Sequence, residues 1–403
     1  MRALFICLTD YQILNSINIK LHLLKNDDAD ILFFDNKEGN RDLAKRLKKS
    51  GIFRKVYLHQ YTNVYGVREY IKSKSKEKSF FIALKNSLKE LLYIIKCKVY
   101  GLKYKINGKL YSNTEIDFGY YDKVFGIPTK DVVGDTMKLV LDKNSRAEIN
   151  FIEDGTSTYW EKSIKSDIPY KNIYLYEPEL ANYYDKLKQI IKVIPKINSD
   201  DKFFRKILNE IFGFENILED YSNKVIFFDQ NWDPMPEYLK DLNGIKKIVL
   251  NNAYKKHLKE SALYDKKMQL FRILSDLVEG KKDVIVKLHP RSDEKFAMDY
   301  KKNQCTIADN INLPWEVIEN NYRFYNNIWV TVSSTALCSL KTAFENKDED
   351  VKLIFLHKLV YSDYKKYEDD MVFFEKFKER YKDRVFMPEH IEEYKSIIYK
   401  LTM

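Results

Sequence analysis

The chain has 403 residues, of which 45% are hydrophobic and 32% are charged, and this combination predicts a globular protein with more than one hydrophobic core. The formal charge of +10, from 69 basic and 59 acidic residues, favours anionic partners such as phosphorylated substrates, nucleic acid or anionic lipid. No run approaches the ~20 apolar residues of a membrane helix, and the four scattered cysteines indicate neither a disulfide framework nor a zinc site. We therefore expect a cytoplasmic protein that is soluble or peripheral to a membrane.

The first half of the chain alternates between predicted strands and predicted helices. Strands are expected at residues 3–7, 31–34, 56–58, 123–127 and 148–152, with helices at 11–24 and 41–49. Such alternation is typical of a parallel sheet that is covered by helices on both faces.

A second series of strands follows in the C-terminal half. Strands are expected at residues 224–228, 247–250, 284–288, 328–332 and 351–356. The periodic pattern is interrupted between Ile197 and Asn223, so we place a domain boundary near Ser222. The final helix, at residues 389–401, is expected to pack back on the N-terminal domain.

One amphipathic helix is predicted at residues 80–100, with leucines on one side and lysines toward the other. A basic amphipathic helix suits the interface of an anionic membrane. A surface helix that covers the sheet with its apolar face is the alternative, and the sequence alone favours that alternative.

The first segment that suggests chemistry is Glu153, Asp154 and Gly155, which ends a predicted apolar strand. Open α/β sheets bind their ligands at the carboxyl ends of strands. This position suits Asp154 to act as a general base, with Glu153 and Gly155 beside an acceptor, because glycine permits a tight turn and the close approach of a substrate. Two adjacent acids also cap helices or bind cations, and the isolated segment does not separate these alternatives.

The second segment is centred on His289. Among six histidines, it alone both ends a predicted strand and precedes a proline, Pro290. An imidazole there can donate a proton to a leaving phosphate, and Lys287 and Arg291 raise the local positive potential. We expect Lys287 and Pro290 on the donor side of a site. A histidine with a structural role at the strand end is the alternative.

The third segment, Ser333 and Ser334, follows a predicted strand and leads into a helix. Hydroxyls beside the free amides of a helix N-terminus favour a phosphate, whereas an ordinary helix cap needs no ligand. Glu316 lies just after Pro314, where it can accept hydrogen bonds from ribose hydroxyls. A first-turn glutamate stabilised by the helix dipole is the simpler account of Glu316.

In this order, the three segments resemble the motifs of the GT-B type bacterial sialyltransferases, the group of the lipooligosaccharide sialyltransferases and capsule polysialyltransferases. The resemblance covers four short patches, which are these three segments and that of Glu316, and the domain plan. It implies an α/β fold of GT-B type, in which two Rossmann-like domains enclose a deep cleft. Residues 1–222 would bind the acceptor, and residues 223–403 would bind the CMP-sugar.

The resemblance also implies a role for each matching residue. Asp154 would deprotonate the acceptor hydroxyl, and His289 would protonate or stabilise the departing CMP phosphate. Ser333 and Ser334 would hold that phosphate, and Glu316 would hold the ribose.

Two further matches are looser. Trp232, in the segment FFDQNWD, resembles an aromatic residue that stacks on the acceptor sugar in some members. The opening CLTDYQ resembles a CxTPxQ opening of part of the group, with Asp10 in place of the proline.

The implied activity is inverting transfer of sialic acid from CMP-sialic acid to a sugar hydroxyl of a lipooligosaccharide or capsule. We expect no cofactor and no metal, since a base on the acceptor side and hydrogen-bonding groups on the phosphate side suffice. The acceptor would end in galactose or sialic acid. The enzyme would work at the inner face of the cell membrane, and the resemblance allows a homodimer.

Two other interpretations remain open from the sequence. A different CMP-sugar transferase, such as a Kdo transferase, carries similar acid-acid-Gly and His-Pro motifs. The charge of +10 also suits a nucleic-acid-binding protein, but the lysines are interleaved with acids and no RNP, zinc-finger, KH or helix-turn-helix signature occurs, so we expect no nucleic acid.

Overall fold

The structure is a computed structural model. It describes residues 1–35, 39–59, 116–128, 132–215, 221–232, 234, 251–289, 292, 294–308, 313–345, 350–361 and 368–403, and only the backbone of 251–257, 294–296 and 368–370. The predicted amphipathic helix at residues 80–100, the predicted strand at 247–250, Pro290 and Arg291 lie outside the described residues.

The N-terminal half contains a seven-stranded parallel sheet with the order β3-β2-β1-β4-β5-β6-β7. Its first strand lies inside the sheet, between β2 and β4, and its side chains are almost all buried, as expected for a strand that is covered on both faces. The strands are β1 (Arg2–Cys7), β2 (Asp28–Phe34), β3 (Lys55–His59), β4 (Lys123–Gly126), β5 (Glu148–Ile152), β6 (Asn172–Leu175) and β7 (Ile191–Val193).

The C-terminal half contains a six-stranded parallel sheet with the order β10-β9-β8-β11-β12-β13. The strands are β8 (Val225–Phe228), β9 (Val284–Lys287), β10 (Thr306–Ile307), β11 (Ile328–Thr331), β12 (Lys352–Phe355) and β13 (Val385–Phe386). The predicted fold class of two Rossmann-like α/β units is confirmed by these two sheets. The predicted boundary near Ser222 falls between the last strand of the first sheet and the first strand of the second, and the deep cleft stays a prediction.

Helices cover both sheets. The described α-helices are Asp10–His22, Asn40–Ser50, Val132–Lys143, Glu161–Ile164, Tyr184–Leu187, Lys202–Phe212, Asn251–Val278, Glu294–Lys301, Trp315–Asn321, Ala336–Thr342, His357–Tyr361, Glu368–Tyr381 and Ile391–Thr402. Short 3-10 helices occur at Phe118–Tyr120, Thr156–Tyr159, Pro178–Leu180 and Lys382–Arg384.

The two sheets share packed cores. One apolar cluster joins Phe151 of β5 to Leu337 of the C-terminal half, and another joins Ile152 to Val317. The backbone of Ile197 also pairs with the segment at Phe344 in a parallel bridge. Apolar burial of this kind favours a fixed arrangement of the two halves, because separating them would expose the shared cores to water.

The last helix does not pack as expected. Ile391–Thr402 lies against the long helix Asn251–Val278 of the C-terminal half, where Tyr394 and Ile398 are fully buried. The prediction that it packs back on the N-terminal domain is therefore wrong. An apolar face of a helix identifies a buried side but not the partner that buries it.

The preceding helix, Glu368–Tyr381, does reach the N-terminal half. The ring of Phe373 lies 5.2 Å from that of Tyr159, and Lys376 Nζ donates to the carbonyl of Ala181. Arg380 forms an ion pair of 2.7 Å with the buried carboxylate of Glu177. The C-terminal half is thus anchored to the first sheet through its penultimate helix.

In the part of the chain that the structure describes, no helix is both long and apolar enough to cross a membrane.

Candidate functional site

The loop after β5 carries Asp154 at the carboxyl edge of the first sheet. Asp154 is partly exposed, and its Oδ1 accepts a hydrogen bond of 3.3 Å from Thr9 Oγ1. Its backbone N–H donates to Thr158 Oγ1 at 2.7 Å. These contacts orient a carboxylate that remains partly exposed, and the predicted role of Asp154 as a base stays a prediction.

The neighbouring Glu153 has different surroundings. Only 2% of its surface is exposed, and its carboxylate accepts hydrogen bonds from Tyr11 Oη at 2.9 Å, Tyr159 Oη at 2.6 Å and the N–H of Tyr176 at 2.9 Å. Burial raises the pKa of Glu153 to about 7, although the three hydrogen bonds oppose the rise. Glu153 therefore holds the loop to its strand, and its predicted contact with an acceptor gains no support from this position.

Gly155 lies at one of the points where the two halves of the molecule touch. Its φ of 75° and ψ of −160° lie in a region that is essentially restricted to glycine. A Cβ atom at Gly155 would lie 2.4 Å from Cγ2 of Thr335, and Thr156 Oγ1 lies 3.3 Å from Thr335 Oγ1. The acid-acid-Gly loop therefore contacts the serine-threonine segment of the other sheet, 180 residues further along the chain.

On the second sheet, Ser333 and Ser334 follow β11, beside that contact. The hydroxyl of Ser333 shares a hydrogen bond of 2.7 Å with Tyr361 Oη, and the N–H of Ser334 donates to Thr331 Oγ1 at 3.0 Å. Both serines are partly exposed. Tyr361 was not identified from the sequence, because it comes from the helix after the neighbouring strand β12.

His289 follows β9 and is partly exposed. Its carbonyl accepts the N–H of Ser292 at 2.8 Å, which closes a turn at the strand end. Since β8 alone separates β9 from β11, and neighbouring strands lie about 4.8 Å apart, the ends of β9 and β11 are roughly 10 Å apart. His289 and the serine pair therefore lie on one edge of one sheet, as predicted.

Trp232 lies at the same edge, after β8. Its ring packs edge-to-face on Tyr361, with 6.0 Å between ring centroids, and it faces the ammonium of Lys267 at 5.9 Å. These contacts place Trp232 beside the serine segment, so the structure groups it with the predicted donor-side residues. Its predicted stacking on an acceptor sugar stays a prediction.

Lys287 and Glu316 are both only 6% exposed. Burial raises the pKa of Glu316 to about 7; Lys287 opposes the rise, and Asp10 from the first sheet's helix adds to it. Glu316 is thus within electrostatic range of Lys287 from the second sheet and of Asp10 from a helix of the first half. Its predicted role in ribose binding stays a prediction.

The geometry brings two kinds of group to one place. A partly exposed carboxylate, Asp154, comes from the first sheet, and hydroxyls and an imidazole come from the second. Such a set can take a proton from one reactant and stabilise charge on another. Among the described residues, no group of three His, Cys, Asp or Glu side chains is arranged to hold a metal ion.

Sequence reasoning missed Asp229 and Lys267, which form a buried ion pair at the end of β8. Asp229 carried a usable signal, since it follows an apolar strand in the same way as Asp154. Lys267 carried none, because it is one of many lysines in a long helix.

Comparison with protein families gives a match over half of the chain. The model of the alpha-2,8-polysialyltransferase family (POLYST) matches residues 134–348, which is 215 of 403 residues and includes every predicted site residue. No curated protein sequence matches the chain.

Solved structures resemble the chain only distantly. A UDP-GlcNAc 2-epimerase of Methanocaldococcus jannaschii, in complex with UDP-GlcNAc and UDP, has 12% identity and a TM-score of 0.46, with 100% of this chain and 92% of that chain covered. Arabidopsis thaliana UGT89C1 complexed with UDP has 10% identity and a TM-score of 0.45, with coverages of 100% and 91%. The calicheamicin glycosyltransferase CalG4 has 8% identity and a TM-score of 0.41, with coverages of 100% and 93%.

Proposed function

Because the chain belongs to the alpha-2,8-polysialyltransferase family, and is therefore an enzyme that transfers a sugar, we propose that it moves sialic acid from CMP-sialic acid to a sialic-acid-terminated glycan. The single observation that carries the proposal is the contact of Gly155 with Thr335, which joins the acidic loop of one sheet to the hydroxyl segment of the other.

The acceptor side of the proposed reaction is formed by Asp154. As the acceptor hydroxyl attacks the anomeric carbon, Asp154 takes its proton, and the bond from that carbon to the CMP phosphate breaks. Direct displacement inverts the anomeric centre, so a β-linked donor gives an α-linked product. The hydrogen bond from Thr9 Oγ1 at 3.3 Å supports this role, since it orients the carboxylate without burying it.

The donor side is formed by Ser333, Ser334 and His289. The hydroxyls would bind the phosphate of CMP, and His289 would protonate or stabilise that phosphate as negative charge develops on it. Lys287 would add positive potential. This division requires neither a metal nor a cofactor in the proposed mechanism.

Glu153 is the second candidate for the base. A carboxyl whose pKa is raised to about 7 is matched to proton abstraction near neutral pH, and Glu153 adjoins Asp154 in the chain. Its two phenolic partners, Tyr11 and Tyr159, would then have to turn away as the acceptor enters.

The test is an assay with CMP-sialic acid and a panel of sialosides and galactosides. We expect Asp154→Asn and His289→Ala to fold and to transfer about 10²–10⁴-fold more slowly than the wild type, the range for general acid and base groups. Asp167→Asn is the control, because Asp167 is an exposed acid whose partner is Lys138 on the surface.

Three outcomes would overturn parts of the proposal. Turnover of CMP-Kdo but not of CMP-sialic acid would reject the donor, and transfer to galactosides alone would reject the acceptor. Full activity of Asp154→Asn together with loss of activity in Glu153→Gln would move the base to Glu153.

A further inference from the structure

The carboxylate of Asp229 is fully buried at the end of β8. Lys267, from the middle of the helix Asn251–Val278, donates to Asp229 Oδ1 at 2.5 Å, and neither side chain is exposed to solvent. Tyr300 Oη donates to the same oxygen at 2.5 Å. A buried charge pair of this kind costs desolvation energy, so its position within the fold calls for a reason beyond stability.

The ion pair also forms hydrogen bonds with two segments that follow strands. Lys267 Nζ also donates to the carbonyl of Gln230 at 2.7 Å, two residues before Trp232. Asp229 Oδ2 accepts from Ser292 Oγ at 3.1 Å, and the Ser292 N–H closes the turn at His289. One buried ion pair therefore reaches both the loop after β8 and the turn after β9.

The backbone strengthens the same connection. The N–H of Asp229 donates to the carbonyl of Lys287 at 2.9 Å, so this backbone hydrogen bond between the ends of β8 and β9 lies next to the ion pair. The ammonium of Lys267 also faces the ring of Trp232 at 5.9 Å. Neither loop can move without lengthening a charge-assisted hydrogen bond to this fully buried pair, and such bonds are strong where the local dielectric is low.

From this geometry we propose that Asp229 and Lys267 are positioning residues for the transfer reaction. They hold the turn of His289, after β9, and the loop of Trp232, after β8, in a fixed position relative to each other. The inference rests on the proposed function for its effect on rate. The positioning itself is independent of which sugar is transferred, so it can be measured separately.

Two variants separate positioning from stability. Lys267→Met leaves the Asp229 carboxylate buried and unpaired, whereas the double variant Lys267→Met with Asp229→Asn removes both charges and relieves that penalty. Arg54→Met is the matched control, because it removes the cation beside another buried acid, Asp30, near the amino end of β2.

Three readouts are needed. The first is kcat and KM with CMP-sialic acid. The second is the NMR signal of His289 in histidine-labelled protein, assigned by its loss in His289→Ala. The third is the fluorescence that Trp232 contributes, obtained as the difference from Trp232→Phe.

We expect the double variant to unfold at close to the wild-type temperature while kcat falls about 100-fold, the scale of a 1 Å misplacement of reacting groups. The His289 signal and the Trp232 emission should both shift. In Arg54→Met, stability should fall while kcat and both spectra stay unchanged.

A folded double variant with wild-type kcat and unshifted signals would overturn the proposal. The wild type could also fail to turn over CMP-sialic acid while the double variant still shifts the His289 and Trp232 signals. That result would uphold the positioning and reject the proposed function.

Discussion

Two buried acids lie at strand ends on opposite sides of the site, and they are stabilised in different ways. Glu153, after β5, accepts hydrogen bonds from two phenols and one backbone N–H. Asp229, after β8, has a fully buried ammonium, that of Lys267, at 2.5 Å. The same architectural position thus holds a carboxyl with neutral donors in one sheet and an ion pair in the other.

The difference shows how one fold can bury a carboxyl among neutral donors in one sheet and beside an ammonium in the other. Burial without a cation raises the pKa of Glu153 to about 7, because hydrogen bonds from neutral donors offset only part of the lost hydration of the charged form. An ammonium in contact supplies the missing compensation for Asp229. Five variants test this contrast and the site around it, from the largest expected effect to the smallest.

The largest effect is expected from Lys267→Met. An unpaired buried carboxylate costs ~3–5 kcal/mol of unfolding free energy, measured by urea denaturation at pH 7. Tyr159→Phe, which removes one neutral donor from Glu153, should cost less, ~1.5–3 kcal/mol. Equal losses in the two variants would show that the two acids are held alike.

Glu153→Gln should change how stability depends on pH. The folded-state pKa of Glu153 is raised from 4.5 to about 7, so its contribution to stability is fully present below pH 4.5 and is lost as the pH rises to about 7. The variant should therefore gain roughly 3 kcal/mol relative to the wild type across that window, since one pKa unit corresponds to about 1.4 kcal/mol.

Urea titrations at several pH values check this expectation. Glu316, whose pKa is also raised to about 7, keeps a share of the pH dependence in the variant. Glu210→Gln, an exposed control, should follow the wild-type profile. Parallel profiles for Glu153→Gln and the wild type would contradict the neutral-donor account.

Gly155→Ala tests the junction between the two regions. A backbone conformation restricted to glycine and a Cβ atom 2.4 Å from Thr335 Cγ2 should together cost ~2–3 kcal/mol and most of the transfer activity. Gly51→Ala is the matched control, because Gly51 has φ 68° with nothing within 4 Å. Adding Thr335→Ser, which removes Cγ2, should restore part of the stability. No restoration would place the cost in the backbone conformation or in the remaining contacts with Thr335 Oγ1 and Cβ, at 2.9 and 3.1 Å.

The smallest effect is expected from Tyr361→Phe. Loss of the hydrogen bond of 2.7 Å to Ser333 should cost ~1 kcal/mol and raise the KM for the donor a few-fold. Thermal melting checks the loss of stability, and calorimetry of CMP binding checks the weaker donor binding. Tyr399→Phe, at an exposed tyrosine, should change neither, and an unchanged KM in Tyr361→Phe would separate Ser333 from the donor.

Much of the fold was predictable because strand patterns are local. Short apolar runs that end in polar residues gave β1, β5, β9 and β11 within about two residues, and the ends of those runs identified Asp154, His289 and Ser333 as candidates. The partners of the helices were not predictable, as the packing of Ile391–Thr402 on Asn251–Val278 demonstrates.

The amino-acid sequence was enough to predict two parallel sheets and the polar groups at their carboxyl edges. The alternation of strands and helices, the burial of apolar runs and the chemistry of turns all depend on residues that are close together in the chain. Only the tertiary structure determined that Gly155 touches Thr335 and that Lys267 reaches Asp229. Those contacts join residues far apart in the chain, and many lysines or threonines are equivalent in the sequence until packing selects one of them.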